Sequence, residues 1–397
     1  MRTAGLASRL LSAYRALAVM LFNAALLFAG LNLAALPFQK SAPAVGTDGC
    51  PRLLHVSQQE FERLCYPGLS REQYTMVASI SAQATYTYEP YIQFRYPEQH
   101  VNDFFNIHAA GFRRSEGQAE WPPDPACVNV FFFGGSTMFG HQAPDAYTIP
   151  SFFQGLVSGR SGAPVRVYNF GMPYFFSSQE RILFQQLLLA GHRPDVAVFL
   201  DGLNDLVLDG NLPFTAKLRA LFDEQNRKRP VWNDALSDLP AVRLARRIGE
   251  KLDARAPSGK AKEAKEKANR EAHVATALAR YESNLRMTSA IAREAGVRTL
   301  FAWQPVPFYH YDTRYHTFLY AADPSQNFRL FRYAYPLMRE RMEQGRLGPD
   351  FAWLAEIQQG IHAPVYLDMV HYGAALSKLI AEHLLRELDG RGYLAKD

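Results

Sequence analysis

Cysteine is scarce: Cys50, Cys65 and Cys127 are the 3 cysteines in 397 residues. So few thiols exclude a disulfide-dense mini-scaffold, and their spacings match no zinc pattern. Cys50 and Cys65 stand close enough to close one short loop in an oxidising compartment, worth about 3 kcal/mol by loop-entropy reasoning. Cys127, just before an apolar run, reads as a small buried hydrophobe. Charge is also sparse, at 20% of residues, and the net +5 is scattered along the chain. The densest charged stretch, 260–270, interleaves Lys with Glu, so there is no basic block and nucleic-acid binding is not expected. No internal repeat is evident, which argues against a solenoid. What is plentiful is apolar surface: 48% hydrophobic residues in a chain of this length can bury a large core. One main domain with additions follows.

From Leu17 to Leu36 the chain carries no charge, and Asn23 and Asn32 are its polar side chains. A helix of about 20 residues spans a bilayer core. Arg2, Arg9 and Arg15 precede the run and Lys40 alone follows closely, which orients the N-terminus to the cytoplasm and the bulk of the chain outside. A signal peptide cleaved near Ser41-Ala42-Pro43-Ala44 is the competing reading. The apolar run is longer than the roughly 7–15 residues usual there, so a single-pass inner-membrane anchor over 1–40 is preferred.

Residues 41–125 form an entry segment rich in Tyr and Pro. Its cluster of Tyr86, Tyr88, Tyr91 and Phe94 suits core packing more than a sugar-binding surface. From Val128 the pattern changes to short, wholly apolar runs alternating with helical stretches, the signature of a parallel sheet covered on both faces. Strands are expected at 128–133, 165–170, 196–200 and 297–303, with a last strand at Val365-Tyr366-Leu367. Helices are expected at 150–158, 178–190, 273–295 and 374–388. Residues 206–272 interrupt this rhythm as an insertion within a 126–397 domain, either covering the site or extending into solvent.

Ser136 follows the first apolar run in Phe133-Gly134-Gly135-Ser136, where a strand gives way to small residues and a hydroxyl is displayed. A serine is a weak nucleophile and needs a base and donors for the oxyanion it creates. Asp368 and His371, in Asp368-Met369-Val370-His371, supply a base and a carboxylate to orient it. Asp201-Gly202-Leu203-Asn204-Asp205 follows the third strand. There Asn204 offers a side-chain amide to an oxyanion, and Gly202 permits close backbone approach. His141 is a rival base lacking an orienting carboxylate at comparable spacing. Asp145 and Tyr147 read as caps of the helix near Pro150, and Gln304-Pro305 as a turn or a pocket wall.

Gly-Gly-Ser, Gly-x-Asn-Asp and Asp-x-x-His, in that order and at these distances, resemble the SGNH, or GDSL-type, hydrolases. A membrane-anchored bacterial subgroup shares the Gly-Gly-Ser variant and an upstream Asn-x-x-Gly-Phe-Arg, which His108-Ala109-Ala110-Gly111-Phe112-Arg113 resembles with His for Asn. The resemblance covers about 106–205 and 280–388. It implies a three-layer α/β/α sandwich on a parallel five-stranded sheet. It also implies Ser136 as nucleophile, His371 as general base and acid, and Asp368 as its partner. The oxyanion donors would be the Ser136 N–H, Asn204 and the N–H at the last glycine of Asn-x-Gly-x-x-Gly. That stretch is Asn169 to Tyr174 here, so Tyr174 replaces the glycine, with Gly171 the alternative donor. The expected activity is an extracytoplasmic serine esterase or O-acyltransferase, with an acylated envelope or exported polysaccharide as substrate and no cofactor or metal. Alternatives are a periplasmic lipase and a non-catalytic subunit with protein partners in an envelope-assembly complex.

Overall fold

The computed structural model describes residues 56–83, 85–208, 260–317 and 325–396, together with short helical pieces between residues 14 and 31. Two units divide the chain, residues 1–47 with 227–267 and residues 48–226 with 268–397. In the first unit residues 17–23 and 26–28 are helical, and Leu17, Phe22 and Leu27 are exposed. Among the described residues no helix is long and apolar enough to cross a membrane, and the expected 17–36 span lies partly outside them. Most of the 206–272 insertion, residues 209–259, also lies outside the described residues.

In the second unit the entry segment folds as α1 (Gln58–Cys65) and α2 (Arg71–Ala82), then β1 (Thr87–Glu89), β2 (Gln93–Arg95), β3 (Gln99–Asn102) and β4 (Phe105–Ile107). Ser57 caps α1, and Ser70 with Gln73 forms a reciprocal capping box on α2, satisfying backbone N–H groups that the first turn leaves without partners. β1 pairs with β2 and β3 with β4, both antiparallel. Tyr86 and Phe94 are buried in a cluster with Tyr96, Phe139 and Phe175, as packing predicts, whereas Tyr88 and Tyr91 are exposed.

The central sheet is built from β5 (Val128–Gly134), β6 (Val165–Asn169), β7 (Val196–Asp201), β8 (Arg298–Trp303) and β9 (Phe351–Trp353). Its order is β6-β5-β7-β8-β9, and every pairing is parallel. All seven residues of β5 are buried, because helices cover both faces. Alternate side chains divide the core. Phe131, Phe133, Phe199, Phe301 and Trp303 pack on one face with residues of α5 (Ser177–Leu189), α7 (Lys260–Glu294) and α8 (Ser325–Glu343). Val130, Phe132, Val198, Leu200 and Leu300 pack on the other with α4 (Ile149–Val157) and α9 (Ala374–Gly390). Each buried Phe or Leu contributes about 1.5–3 kcal/mol. The two shortest helices, α3 (Ser136–Phe139) and α6 (Leu203–Val207), follow β5 and β7 directly.

Four expected strands and three expected helices agree with these bounds within a residue or two. The fifth strand differs: it is Phe351–Trp353, while Tyr366 makes one isolated bridge, to Tyr372. Residues 365–367 are apolar because they lie under the turn that carries His371, not because they enter the sheet. The expected helix at 273–295 begins at Lys260, so the interleaved Lys/Glu run is its first turns. Cys65 is a free, buried thiol whose Sγ faces the carbonyl oxygens of Pro364 and Tyr366, not half of a loop-closing disulfide; Cys50 lies outside the described residues. Cys127 is buried and free, as expected.

Candidate active site

The chain leaves β5 for β6 on one side and returns to β7 on the other, so the sheet reverses its winding beside β5. Ligands of open α/β sheets bind at the carboxyl ends of strands at such a reversal. Ser136 stands after β5 and Asn204 after β7, which puts both at this crevice. The approach is tight: a Cβ on Gly135 would lie 2.4 Å from Asn204 Nδ2 and 3.1 Å from the Phe175 carbonyl. Any larger residue before the serine would push the two loops apart.

Asp368, His371 and Ser136 form one hydrogen-bonded relay. His371 Nε2 lies 2.8 Å from Ser136 Oγ, and His371 Nδ1 lies 2.6 Å from Asp368 Oδ2. The turn that makes this possible is held by Asp368 itself, whose Oδ1 accepts the N–H of Val370 and of His371, each at 2.9 Å. Gln142 Nε2 adds a donor to Asp368 Oδ2 at 2.9 Å. Burial alone would raise the Asp368 pKa. The charge and hydrogen bond of His371 and the two backbone N–H groups outweigh it, and the carboxyl is held well below the ordinary range.

Asn204 Nδ2 donates to the Phe175 carbonyl at 2.7 Å. An amide carries two hydrogens, so one is left for another acceptor. Tyr174 adopts φ +67°, and Phe175 N donates to Met172 O at 3.1 Å, closing a turn over 172–175. A positive φ at the third position is what a type II turn demands and what glycine ordinarily supplies. Tyr174 thus keeps the backbone path despite its side chain. The N–H of Gly171, the alternative donor, is directed to Asn169 Oδ1 at 3.0 Å. The lack of a Cβ at Gly171 serves packing, since one would lie 2.5 Å from Phe139 N. Gly202 likewise makes room for the Trp303 ring, 3.0 Å from where its Cβ would be.

Several neighbours differ from expectation. Asp145 does not cap the helix after it; Thr148 does, accepting from Ser151 N, and Tyr147 OH donates to Pro67 O. Asp145 instead pairs with Arg113, Nε to Oδ1 at 2.8 Å, while Asn106 donates to its other oxygen at 2.9 Å. Arg113 is fully buried. Its remaining nitrogens donate to the carbonyls of Phe139, Gly140 and Ala143, the loop just past Ser136, and its charge sits over the Phe105 and Phe139 rings. Gln304 Oε1 accepts from Thr137 Oγ1 at 2.8 Å, which fastens the residue after the serine to the end of β8.

His141 stands beside the relay: its backbone N–H donates to Ser136 O, and its ring centroid lies 4.5 Å from that of His371. Its Nδ1 is buried with no hydrogen-bond partner among the described residues. Burial, and then the neighbouring His371, lower its pKa to about 3. On the Asn204 side, Glu180, Asp201 and Asp205 are buried around a cavity of about 10 Å³, which Gly135, Asn204 and Gln304 also line. Ser177 Oγ donates to Asp205 Oδ1 at 2.6 Å. Burial first raises Glu180 and Asp201 well above ordinary carboxyl values, and the charges of Asp201 and Asp205 add to it for Glu180, that of Asp205 for Asp201. Arg113 and Glu180 were not singled out by role from sequence. The Gly-Phe-Arg motif marked the first, and no local signal marked the second.

No family model matches the chain, and no curated protein matches it. Solved structures do. A lipolytic protein of the G-D-S-L family from Desulfitobacterium hafniense DCB-2 is 12% identical, with 66% of this chain and 99% of that one covered at a TM-score of 0.34. An acylhydrolase from Bacteroides fragilis NCTC 9343 is 11% identical, covering 70% and 94% at 0.37. An acetylxylan esterase from Geobacillus stearothermophilus is 15% identical, covering 66% and 94% at 0.35. These likenesses are remote, and the chemistry rests on the residues.

Proposed function

We propose that the chain is an SGNH-type serine hydrolase, an esterase or O-acyltransferase. The observation that carries this reading is the relay from Asp368 through His371 to Ser136, at 2.6 and 2.8 Å. In it, Ser136 Oγ attacks the ester carbonyl carbon while His371 Nε2 takes the hydroxyl proton, and Asp368 holds the ring and offsets the imidazolium charge. The oxyanion that forms is met by the backbone N–H groups of Ser136 and Tyr174 and by the second Asn204 hydrogen. Collapse breaks the ester C–O bond, and His371 returns the proton to the departing alcohol. The acyl group, now on Ser136, passes to water in hydrolysis or to a sugar hydroxyl in transfer: His371 takes that acceptor's proton, the Ser136 Oγ–acyl bond breaks, and His371 returns the proton to Oγ.

The substrate we assign is an acyl ester, acetyl first, of an envelope or exported polysaccharide. The uncharged 17–36 run with arginines before it supports an anchor that leaves the domain on the outer side of the cytoplasmic membrane. Outside the cytoplasm acetyl-CoA is absent, so transfer draws on an acylated polymer or a donor delivered across the membrane.

A fluorophosphonate probe tests the chemistry. Wild type is expected to label and Ser136→Ala to stay dark, with acyl release from short-chain ester substrates lost in the same variant. Labelling that survives Ser136→Ala, or no labelling and no acyl release from any ester, sinks the reading. A preference for long over short chains would redirect it to a lipase.

A further inference from the structure

One ring nitrogen of His141, one of His371 and a carboxylate oxygen of Asp368 all lie within 4.8 Å of one another. Among the described residues, no other group of three such donors is gathered so closely. The relay accounts for His371 and Asp368 but not for His141, whose buried Nδ1 makes no hydrogen bond among the described residues. Leaving such a group unsatisfied costs about 1–3 kcal/mol. The two imidazoles pack with ring centroids 4.5 Å apart. The side chains of His371 and Asp368 stay 13% and 22% exposed, so an ion can reach them from solvent.

We propose that His141, His371 and Asp368 form a Zn²⁺ site whose occupation switches Ser136 off. Two imidazoles and one carboxylate are a donor set of zinc, and the nitrogen donors disfavour the hard cations Mg²⁺ and Ca²⁺. Zn–N and Zn–O bonds of roughly 2.0–2.2 Å require the donors to shift from this arrangement, a side-chain adjustment, with water completing a tetrahedron. Both ring nitrogens of His371 are already engaged, one by Ser136 Oγ and one by Asp368 Oδ2. A metal therefore displaces one of these hydrogen bonds, and the loss of either interrupts the relay. The inhibition rests on the hydrolase reading; the binding does not.

Calorimetric Zn²⁺ titration of tag-free full-length protein separates the two. Wild type and Ser136→Ala are expected to bind one Zn²⁺ per chain. His141→Gln and His141→Asn are expected to bind about tenfold more weakly or worse, and His108→Gln as wild type does. Ester hydrolysis by wild type falls with Zn²⁺ and returns with EDTA. Histidine-selective ¹⁵N NMR of wild type adds a readout that needs no variant, with two imidazoles expected to shift together. Equal affinity in melting-competent His141 variants, no saturable binding by wild type, or fewer than two responding imidazoles overturns the site. Binding as described, with no ester hydrolysed under any condition, supports the site and removes the hydrolase reading instead.

Discussion

On the flank of Ser136 that leads into the 139–143 loop, a fully buried Arg113 meets Asp145 and three backbone carbonyls. On the flank that leads to Asn204, three carboxyls are buried together. There, Glu180 and Asp201 meet in a side-chain hydrogen bond, which requires a proton on one of the two acids. The first flank neutralises a buried charge by pairing it with its opposite, and the second removes charge by keeping protons on the acids. Burial raises the Asp145 pKa despite Arg113, so that pair weakens as pH falls, whereas a shared proton is lost as pH rises. The nucleophile's loop is thus loosened from the acid side of the pH range, and the Asn204 loop from the alkaline side.

The largest effect is expected from breaking the paired flank. Arg113→Ala leaves Asp145 buried without its cation and frees three carbonyls, and removing one partner of a buried pair costs about 3–5 kcal/mol. Thermal unfolding should show it as a fall in Tm on the order of 10 °C, with fluorophosphonate labelling of Ser136 reduced in the fraction that stays folded. A variant as stable as wild type would mean that the clamp on the Ser136 loop is dispensable.

Glu180→Gln sharpens the other side of the comparison. The folded pKa of Glu180 is raised, so the native state holds more protons than the unfolded state between the unfolded value, about 4.3, and the folded one. Stability from this group is full below that window and declines as pH rises through it. The slope is at most about 1.4 kcal/mol per pH unit for each proton. Asp201 and Asp205 face Glu180, and Tyr281 of α7 lies in the field of all three. Glutamine keeps the neutral shape, so the variant's denaturation midpoints should fall less steeply with rising pH than those of wild type. Parallel pH profiles would show that Glu180 is not the group holding the proton.

Signals confined to a few adjacent residues were the ones legible in the sequence. β5, β7 and β8 are largely apolar runs because both their faces are covered, and Ser136, Asp368 and His371 stand in short turns whose spacing already limits their geometry. β9 was missed because Phe351–Trp353 is a three-residue edge strand after a long helix, too short for any period. Its place was taken by 365–367, equally apolar for a different reason. Gln142, Arg113 and Glu180 act across 226, 32 and no fewer than 21 positions of chain, to Asp368, Asp145 and Asp201 respectively. No local pattern announces partners that distant.

Tyr174 gives the smallest effect and bears on the Asn204 flank from the loop beside it. At φ +67° a non-glycine residue is strained by roughly 1–2 kcal/mol, which Tyr174→Gly would release. Glycine also gains freedom in the unfolded chain and gives up the edge contact between the Tyr174 and Tyr86 rings, centroids 6.4 Å apart, each worth about 1 kcal/mol in the opposite direction. The net change in stability should stay within about 1 kcal/mol. Because the proposed donor to the oxyanion is a backbone N–H, kcat for a short ester should change little, where losing such a donor costs about 10²–10³-fold. A drop of that size in Tyr174→Gly, with KM unchanged, would assign the work to the phenol ring. The tyrosine at a glycine's position would then be a specific adaptation of this chain, not a tolerated substitution.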